Sequence, residues 1–398
     1  MKPLMKIVVF ILFFSNLLNA DFCQEISNDL RIIVQKLDSD IGEFESVIPF
    51  PNQGGSFINQ IFLVNTDKGH KLVLKVENKN WEREKTLNEV TNLEYINRHT
   101  SIPVPKVLAY ESAISDSLID QEYILMAQMK GTPLNLVFDR VYSNPNHYVY
   151  VLEQLADILA ELKKHPFSKI GCLNNLDAFT LKNPIDFGNS SDKTPCNSFS
   201  EYAQRWLSYY LTEMKNLKNA GHQNSEYFER FIPQVEKLIF SPYLSCLNKP
   251  SEVFPFSHQD FVMKNILIEG AEITGVLDWE WSGPAVSEFE AKTGCDFLKT
   301  SQDIALFNKM LEQRGVFNFF DSPLPVRELF YQLMGELYSL ISCYEWVEGK
   351  LEHSAKFINQ KLEQRRVRNS NNFDMKAYVE EISTTLEKHF FEINKELQ

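Results

Sequence analysis

The residues best suited to chemistry lie between Phe254 and Ser282. His258, Asp260 and Asn265 stand in the spacing H-x-D-x-x-x-x-N, and Asp278 follows in the run Gly275-Val276-Leu277-Asp278-Trp279-Glu280. A loop carboxylate can accept the proton of an attacking hydroxyl, which suits Asp260. An amide and a carboxylate offer hard oxygens to Mg²⁺, which suits Asn265 and Asp278. Phosphoryl transfer asks for little more than an oriented hydroxyl and a metal that neutralises the nucleotide phosphates. His258 fits the task of orienting the loop by hydrogen bonding. Singly, each acid or amide has an ordinary alternative as a turn former, a cap or a strand-end residue; their joint spacing gives the pattern its weight.

Such residues need a frame. The apolar runs 266–268 and 273–277, separated by Glu269-Gly270-Ala271-Glu272, predict a hairpin that brings Asn265 and Asp278 to one end. Upstream, period-two alternation over Phe57, Ile61 and Leu63, then Leu72, Leu74 and Val76, predicts two strands joined at Asn65–Gly69. Amphipathic helices are expected over 26–37 and 82–98, the second ended by Pro103 and Pro105. Extended segments follow at 107–110 and 123–129. From 148 onward the pattern is helical: 148–165, 199–219, 226–240, 286–314, 323–349 and 375–397, with a long Asn/Ser/Pro-rich loop over 171–198. The expected domains are a leader at 1–20, an N-terminal helix at 21–44, a sheet lobe at 45–130 that carries nucleotide, and a helical lobe at 131–398.

Bulk properties exclude some classes. With 398 residues, 44% hydrophobic and 23% charged, the chain has globular composition, and 30 Phe with 15 Tyr favour a dense aromatic interior. A net charge of −13 argues against nucleic acid as a partner. The one basic cluster, Lys361 with Arg365, Arg366 and Arg368, reads as a solvated helix face. Acidity is compatible with a cationic substrate. The six cysteines are dispersed, without a zinc or redox spacing. Lys2 and Lys6 before an apolar run from Ile7 to Phe14, with Ala20 before Asp21, predict a cleaved secretory leader; the alternative is a cytoplasmic protein with a buried N-terminal helix. No later segment is long and apolar enough to span a bilayer.

The H-x-D segment resembles the corresponding motif of the aminoglycoside phosphotransferase and choline kinase superfamily, relatives of the protein kinases. Further stretches agree in order. Gly54-Gly55-Ser56 resembles the family's nucleotide-covering loop, and Lys75 its phosphate-gripping lysine, with Glu89 as ion-pair partner. Tyr123–Met126 resembles the hinge strand, with Met126 as gatekeeper and the backbone from Ala127 to Met129 facing adenine. The resemblance covers about residues 45 to 345. It implies an α+β, protein-kinase-like fold of two lobes, a small antiparallel sheet with one helix and a larger helical lobe. It also implies ATP and Mg²⁺ as cofactors and a small-molecule hydroxyl as acceptor.

Some residues depart from the family. Gln259 replaces the glycine of H-G-D, Met263-Lys264 replaces a small or helix-starting pair, and the element after Asp278 is changed to Gly283-Pro284 followed by Val286–Glu290. Glu280, Glu288 and Glu290 read as solvated acids near the acceptor side. Two other classes fit the same sequence: a kinase-like scaffold that binds nucleotide without turnover, and a secretory-pathway protein kinase, though no activation segment ending in A-P-E is present.

Overall fold

A computed structural model describes residues 22–50, 59–77, 85–182, 193–220, 226–320, 324–347 and 375–396. The leader, the Gly54-Gly55-Ser56 loop and the basic cluster around Arg365 lie outside the described residues.

A helix over 22–35 (α1) precedes strand β1, Phe44–Pro49. The alternating segments form β2, Asn59–Thr66, and β3, Lys71–Glu77, closed by the expected turn. Alternation decides what each face carries. Leu72, Leu74 and Val76 point with Phe62 and Val64 into a core shared with Ile26, Leu30 and Val34 of α1. Lys75 and Glu77, one position out of phase, therefore face the other way, toward helix α2, Lys85–His99. Strands β4, Val107–Glu111, and β5, Tyr123–Ala127, complete an antiparallel sheet in the order β1-β2-β3-β5-β4. Lys75 sits mid-sheet, opposite Ile61 on one side and Ile124 on the other.

After β5 the chain crosses through β6, Thr132–Pro133, into α3, Leu134–Tyr142, which the sequence reading did not anticipate, and α4, Pro145–Lys163. The segment expected to be one long loop contains a small hairpin, β8, Cys172–Leu173, with β9, Leu181–Lys182; β7, Pro166–Phe167, precedes it. Helices α5, Phe199–Asn219, and α6, Glu226–Ile239, match their expected ranges to within a residue.

The motif segment begins with the fully buried β10, Phe254–Ser257, which pairs with β7 on one edge. The expected hairpin follows as β11, Ile266–Glu269, and β12, Glu272–Val276, turning at Gly270. Strand β13, Gly283–Pro284, covers the other edge of β10.

One continuous helix was expected over 286–314; two are present, α7, Ser287–Thr293, and α8, Ser301–Gln313. A β-carbon on Gly294 would stand 2.9 Å from Phe261 O, so the chain there is pressed against the motif loop rather than coiling onward. Thr300 and Asp303 then form a reciprocal capping box that starts α8 afresh. Helices α9, Pro325–Val347, and α10, Met375–Glu396, pack with α5 and α6 around Phe199, Phe228, Phe231, Phe330, Leu337 and Phe390. A second core runs from Val90 and Ile96 of α2 through Met126 to Leu155, Phe256 and Trp279, and so joins the sheet to the helices behind the motif loop. No helix among the described residues is long and apolar enough to cross a membrane.

Candidate active site

Two groups of polar side chains meet in the cleft between sheet and helices. The first centres on Lys75, 8% exposed. Its Nζ lies 2.6 Å from Glu89 Oε2, 3.0 Å from Asp278 Oδ1 and 3.1 Å from Glu280 Oε2. Strand β3 supplies the lysine, α2 the first carboxylate, and the 3₁₀ turn Trp279–Trp281 with the residue before it the other two. Asn92 of α2 holds that turn by donating to the carbonyls of Trp279 and Ser282 at 2.8 and 3.0 Å. Asp278 has φ +67 and ψ +60, a left-handed backbone that aspartate tolerates better than most residues.

Burial disfavours the Lys75 charge, but Asp278, Glu280 and Glu89 outweigh it and hold the ammonium well above its ordinary range. The three carboxylates do not fare alike. Burial, with Asp278 and Glu280 beside it, pushes Glu89 up to about 7 against the pull of Lys75. Glu280 is as deeply buried, but Lys75 and Lys85 together hold it well below the usual carboxylate range. Lys85, itself buried, lies 3.7 Å from Glu280 Oε2 and 3.4 Å from Glu77 Oε1, and Asn59 Nδ2 donates to Glu280 at 3.1 Å. Lysines and carboxylates thus alternate in a chain from Glu77 through Lys85, Glu280 and Lys75 to Glu89 and Asp278.

The second group is the motif loop. The Asp260 N–H donates to His258 Nδ1 at 3.2 Å, so Nδ1 is the unprotonated nitrogen. Nε2 then carries the proton and donates to Leu277 O at 2.9 Å. His258 is fully buried against Trp279, with ring centroids 4.5 Å apart, and ties the loop to the hairpin's end. Asn265 Nδ2 donates to both the carbonyl and the Oδ2 of Asp260, each at 2.9 Å. Lys264 Nζ lies 3.0 Å from the same Oδ2. Oδ1 of Asp260 receives no donor from the described residues and is the oxygen left for a substrate proton.

The Leu277 N–H donates to Asn265 O at 2.8 Å, which sets Asn265 beside the residue preceding Asp278. With Nδ2 committed to Asp260, Asn265 keeps Oδ1 as a ligand atom; with Oδ1 on Lys75, Asp278 keeps Oδ2. Two oxygens from an amide and a carboxylate, one of them anionic, are a donor set that fits Mg²⁺. Glu89, Asp278 and Glu280 also approach one another within 4.8 Å, but Lys75 already lies among them.

At the hinge, Met126 is buried opposite Val73 and Val107. The Ala127 and Gln128 amides donate to the carbonyls of Lys106 and Lys71, each at 3.0 Å. The Met129 N–H makes no such bond to the described residues, so it is the amide of this stretch open to a ligand. Gly131, at φ +108, lets the chain turn away: a β-carbon there would stand 2.4 Å from Thr274 Oγ1.

Outside the hinge, the expected site residues fall into three sets. Lys75, Glu89 and Asp278 converge; His258, Asp260 and Asn265 converge beside them; Ser56 lies outside the described residues. The reading of Glu280, Glu288 and Glu290 as solvated acids is corrected, because all three are buried, at 4%, 3% and 1% exposure. Glu280 belongs to the Lys75 network, Glu288 accepts from Lys249 at 2.9 Å, and Glu290 lies under the motif loop. Lys85 carries no distinguishing signal in the sequence, and only the alternation of charges in three dimensions gives it away.

A sheet lobe with a buried lysine–glutamate pair, a helical lobe with an H-x-D loop, and a hinge between them define a kinase-like protein. The model of the phosphotransferase enzyme family matches residues 51–289, more than half of the chain, and the protein belongs to that family. Among solved structures, the gentamicin complex of APH(2")-IIa aligns at 15% identity with TM-score 0.53, covering 85% of this chain and 95% of that one. ADP-bound aminoglycoside phosphotransferase APH(2'')-Ib aligns at 15% identity with TM-score 0.51, covering 90% and 98%. At such identity these matches speak for the fold, which is the α+β, kinase-like one expected. A search of curated proteins returns no match.

Proposed function

We propose that the protein is an ATP-dependent, Mg²⁺-requiring phosphotransferase acting on a hydroxyl of a small molecule, amine-bearing acceptors included. The observation that carries the proposal is the meeting of two sets: Lys75 held by Glu89 and Asp278, and Asp260 held by Asn265, in one cleft. Adenine would lie against the Met126 side of the hinge and take the Met129 N–H. Lys75 would position the α- and β-phosphates, kept in place by Glu89 on α2. Asn265 Oδ1 and Asp278 would hold Mg²⁺, which when bound supplies charge neutralisation to the phosphates.

Asp260 is the base of this scheme. Its Oδ2 is fixed by Asn265 and Lys264, so Oδ1 takes the proton as the acceptor oxygen bonds to the γ-phosphorus. The bond from that phosphorus to the β–γ bridging oxygen breaks, and ADP departs. His258 keeps the loop in register without exchanging a proton, since both ring nitrogens are engaged. Asp260→Ala should lower transfer by about 10²- to 10⁴-fold, the usual weight of a positioned base, and leave the unfolding temperature near wild type. Transfer unaffected by that change would remove the assignment.

A second reading, a nucleotide-binding scaffold without turnover, draws on Gln259 standing where the family has glycine, at φ +64. Titration with Mg·ATP followed by an acceptor screen separates the two: a thermal shift without phosphate transfer favours the scaffold. We also propose export of the mature chain, and mass spectrometry of the N-terminus tests it, an intact Met1 being the contrary outcome.

A further inference from the structure

A pocket of about 400 Å³ opens outside the cleft, large enough for a small organic molecule. None of the Lys75 or Asp260 groups lines it. Gln154, Asp157, Ile158 and Glu161 recur at intervals of three and four along α4, so they share the helix face that forms one wall. The rest of the lining comes from Ile102 and Pro103, which follow α2, from Ile273 of β12, and from Arg314, the residue that ends α8.

The lining divides by depth. Ile102 and Ile158 are buried. Nearer solvent stand two ion pairs, Arg314 Nε with Asp157 at 2.5 Å and Lys164 Nζ with Glu161 Oε2 at 2.7 Å. One member of each pair is shielded: the Arg314 and Glu161 side chains are 20% and 25% exposed, against 64% and 68% for Asp157 and Lys164. The shielded groups also keep unused capacity. Arg314 donates from Nε to Asp157 and from Nη1 to Met310 O at 3.0 Å, which leaves Nη2 without an acceptor among the described residues. Glu161 Oε1 has no donor among them nearer than His165 Nε2, at 4.0 Å. One cationic and one anionic group thus offer open positions above aliphatic carbon.

We propose that this pocket binds a small zwitterion with an apolar tail, a molecule of the α-amino-acid class. Its carboxylate pairs with Nη2 of Arg314, its ammonium with Oε1 of Glu161, and its tail rests on Ile102, Pro103, Ile158 and Ile273. Asp157 and Glu161 are one helical turn apart, about 5–6 Å between β-carbons, and Arg314 sits on the first of them. The two anchors are therefore spaced for opposite charges carried on a single carbon. A ligand with one charge alone fills only one anchor. The pocket also touches two elements of the cleft. Pro103 O accepts the Val276 N–H at 2.8 Å, and Gln154 holds the hairpin turn, donating to Ala271 O at 2.8 Å and accepting the Ile273 N–H at 2.9 Å. Glu89 lies on α2 and Asp278 follows β12, so an occupant seated on Pro103 and Ile273 braces the metal-binding hairpin against the helix that carries Glu89.

The experiment titrates the full chain by calorimetry with L-leucine, L-methionine and L-phenylalanine, each beside its analogues lacking the ammonium or the carboxylate. At least one amino acid should bind with a Kd of about 1 mM or tighter, and both of its analogues at least tenfold more weakly. Arg314→Met and Glu161→Gln should each weaken binding at least tenfold, and Ile273→Trp, which fills the pocket, should abolish it. Hydrogen exchange of the 271–277 amides should slow at least twofold at saturation. Failure of all three amino acids to bind, an analogue that binds as tightly as its parent, or binding that survives Arg314→Met overturns the proposal. Unchanged exchange at saturation places the ligand elsewhere and overturns it too. Should Arg314→Met not fold, Glu161→Gln decides in its place, since it removes the other charge and keeps the side-chain volume. No readout needs ATP or an acceptor, so absence of phosphate transfer leaves this test standing, and failure here leaves the phosphotransferase reading standing.

Discussion

Replacing Lys85 by methionine removes the charge at the middle of the buried network while keeping most of the side-chain volume. Lys85 is 2% exposed, with Nζ 3.4 Å from Glu77, 3.7 Å from Glu280 and 3.1 Å from the Asn59 side-chain oxygen. At an effective dielectric of about 20, unit charges at those separations attract by roughly 5 kcal/mol each, most of it cancelled by lost solvation. Breaking a buried pair costs about 3–5 kcal/mol in practice, because a bare charge stays behind. Glu77 makes that cost depend on pH. Burial, partly offset by Lys85 and reinforced by Glu122, raises its pKa from 4.5 to about 7. A raised carboxyl pKa means that the folded state binds the proton more tightly, so this group's contribution to stability falls as pH rises from 4.5 to about 7, then levels off. Without Lys85 the folded pKa climbs further and the fall continues past 7, at about 1 kcal/mol per pH unit. Glu280, still held by Lys75, adds a share that does not vary with pH. Lys85→Met should therefore destabilise by about 3–5 kcal/mol at pH 8 and by about 1 kcal/mol less at pH 6. Urea unfolding followed by tryptophan fluorescence at the two pH values measures both. Equal penalties, or a variant as stable as wild type at pH 8, would refute the reasoning.

Other perturbations have equally definite outcomes. Burial pulls the pKa of Lys163 down to about 8, against the pull of Glu290 and Glu288, so above pH 8 the unfolded chain holds a proton the folded state has released. That group adds stability as pH rises from about 8 toward 10.5, and Lys163→Met should flatten this part of the stability profile; parallel profiles for the two proteins would count against it. Gly131→Ala forces a β-carbon to within 2.4 Å of Thr274 Oγ1 at φ +108, and calorimetry should register a loss of about 1–3 kcal/mol with weaker nucleotide binding. An unchanged midpoint would mean that the hinge is looser than its contacts imply. Asp278→Asn keeps a residue that accepts the left-handed backbone, so unfolding should move by about 1 kcal/mol or less. The thermal shift given by Mg·ATP should shrink markedly in that variant, and a full shift would exclude Asp278 from the metal site.

What the sequence made legible is what short-range physics controls. Alternation at Leu72, Leu74 and Val76 identified the sheet and left Lys75 on the opposite face, where it lies. Helix α5 begins where Ser198 caps the Glu201 amide. What stayed illegible was set by distant partners. Glu280, Glu288 and Glu290 look alike as acids near a motif, but their fates depend on Lys75, Lys249 and Gln259, which are 205, 39 and 31 residues away. The break between α7 and α8 is likewise imposed from outside the helix, by Phe261 against Gly294. The same argument changes how the departures from the family pattern are weighed. In sequence, Gln259 for glycine and the altered stretch after Asp278 look like two separate losses. In the structure the Gln259 amide and the Glu290 carboxyl group stand 3.1 Å apart, so the two changes meet in a single contact. Counting them twice overstates the case against turnover, because the second change supplies the acceptor that the first one needs.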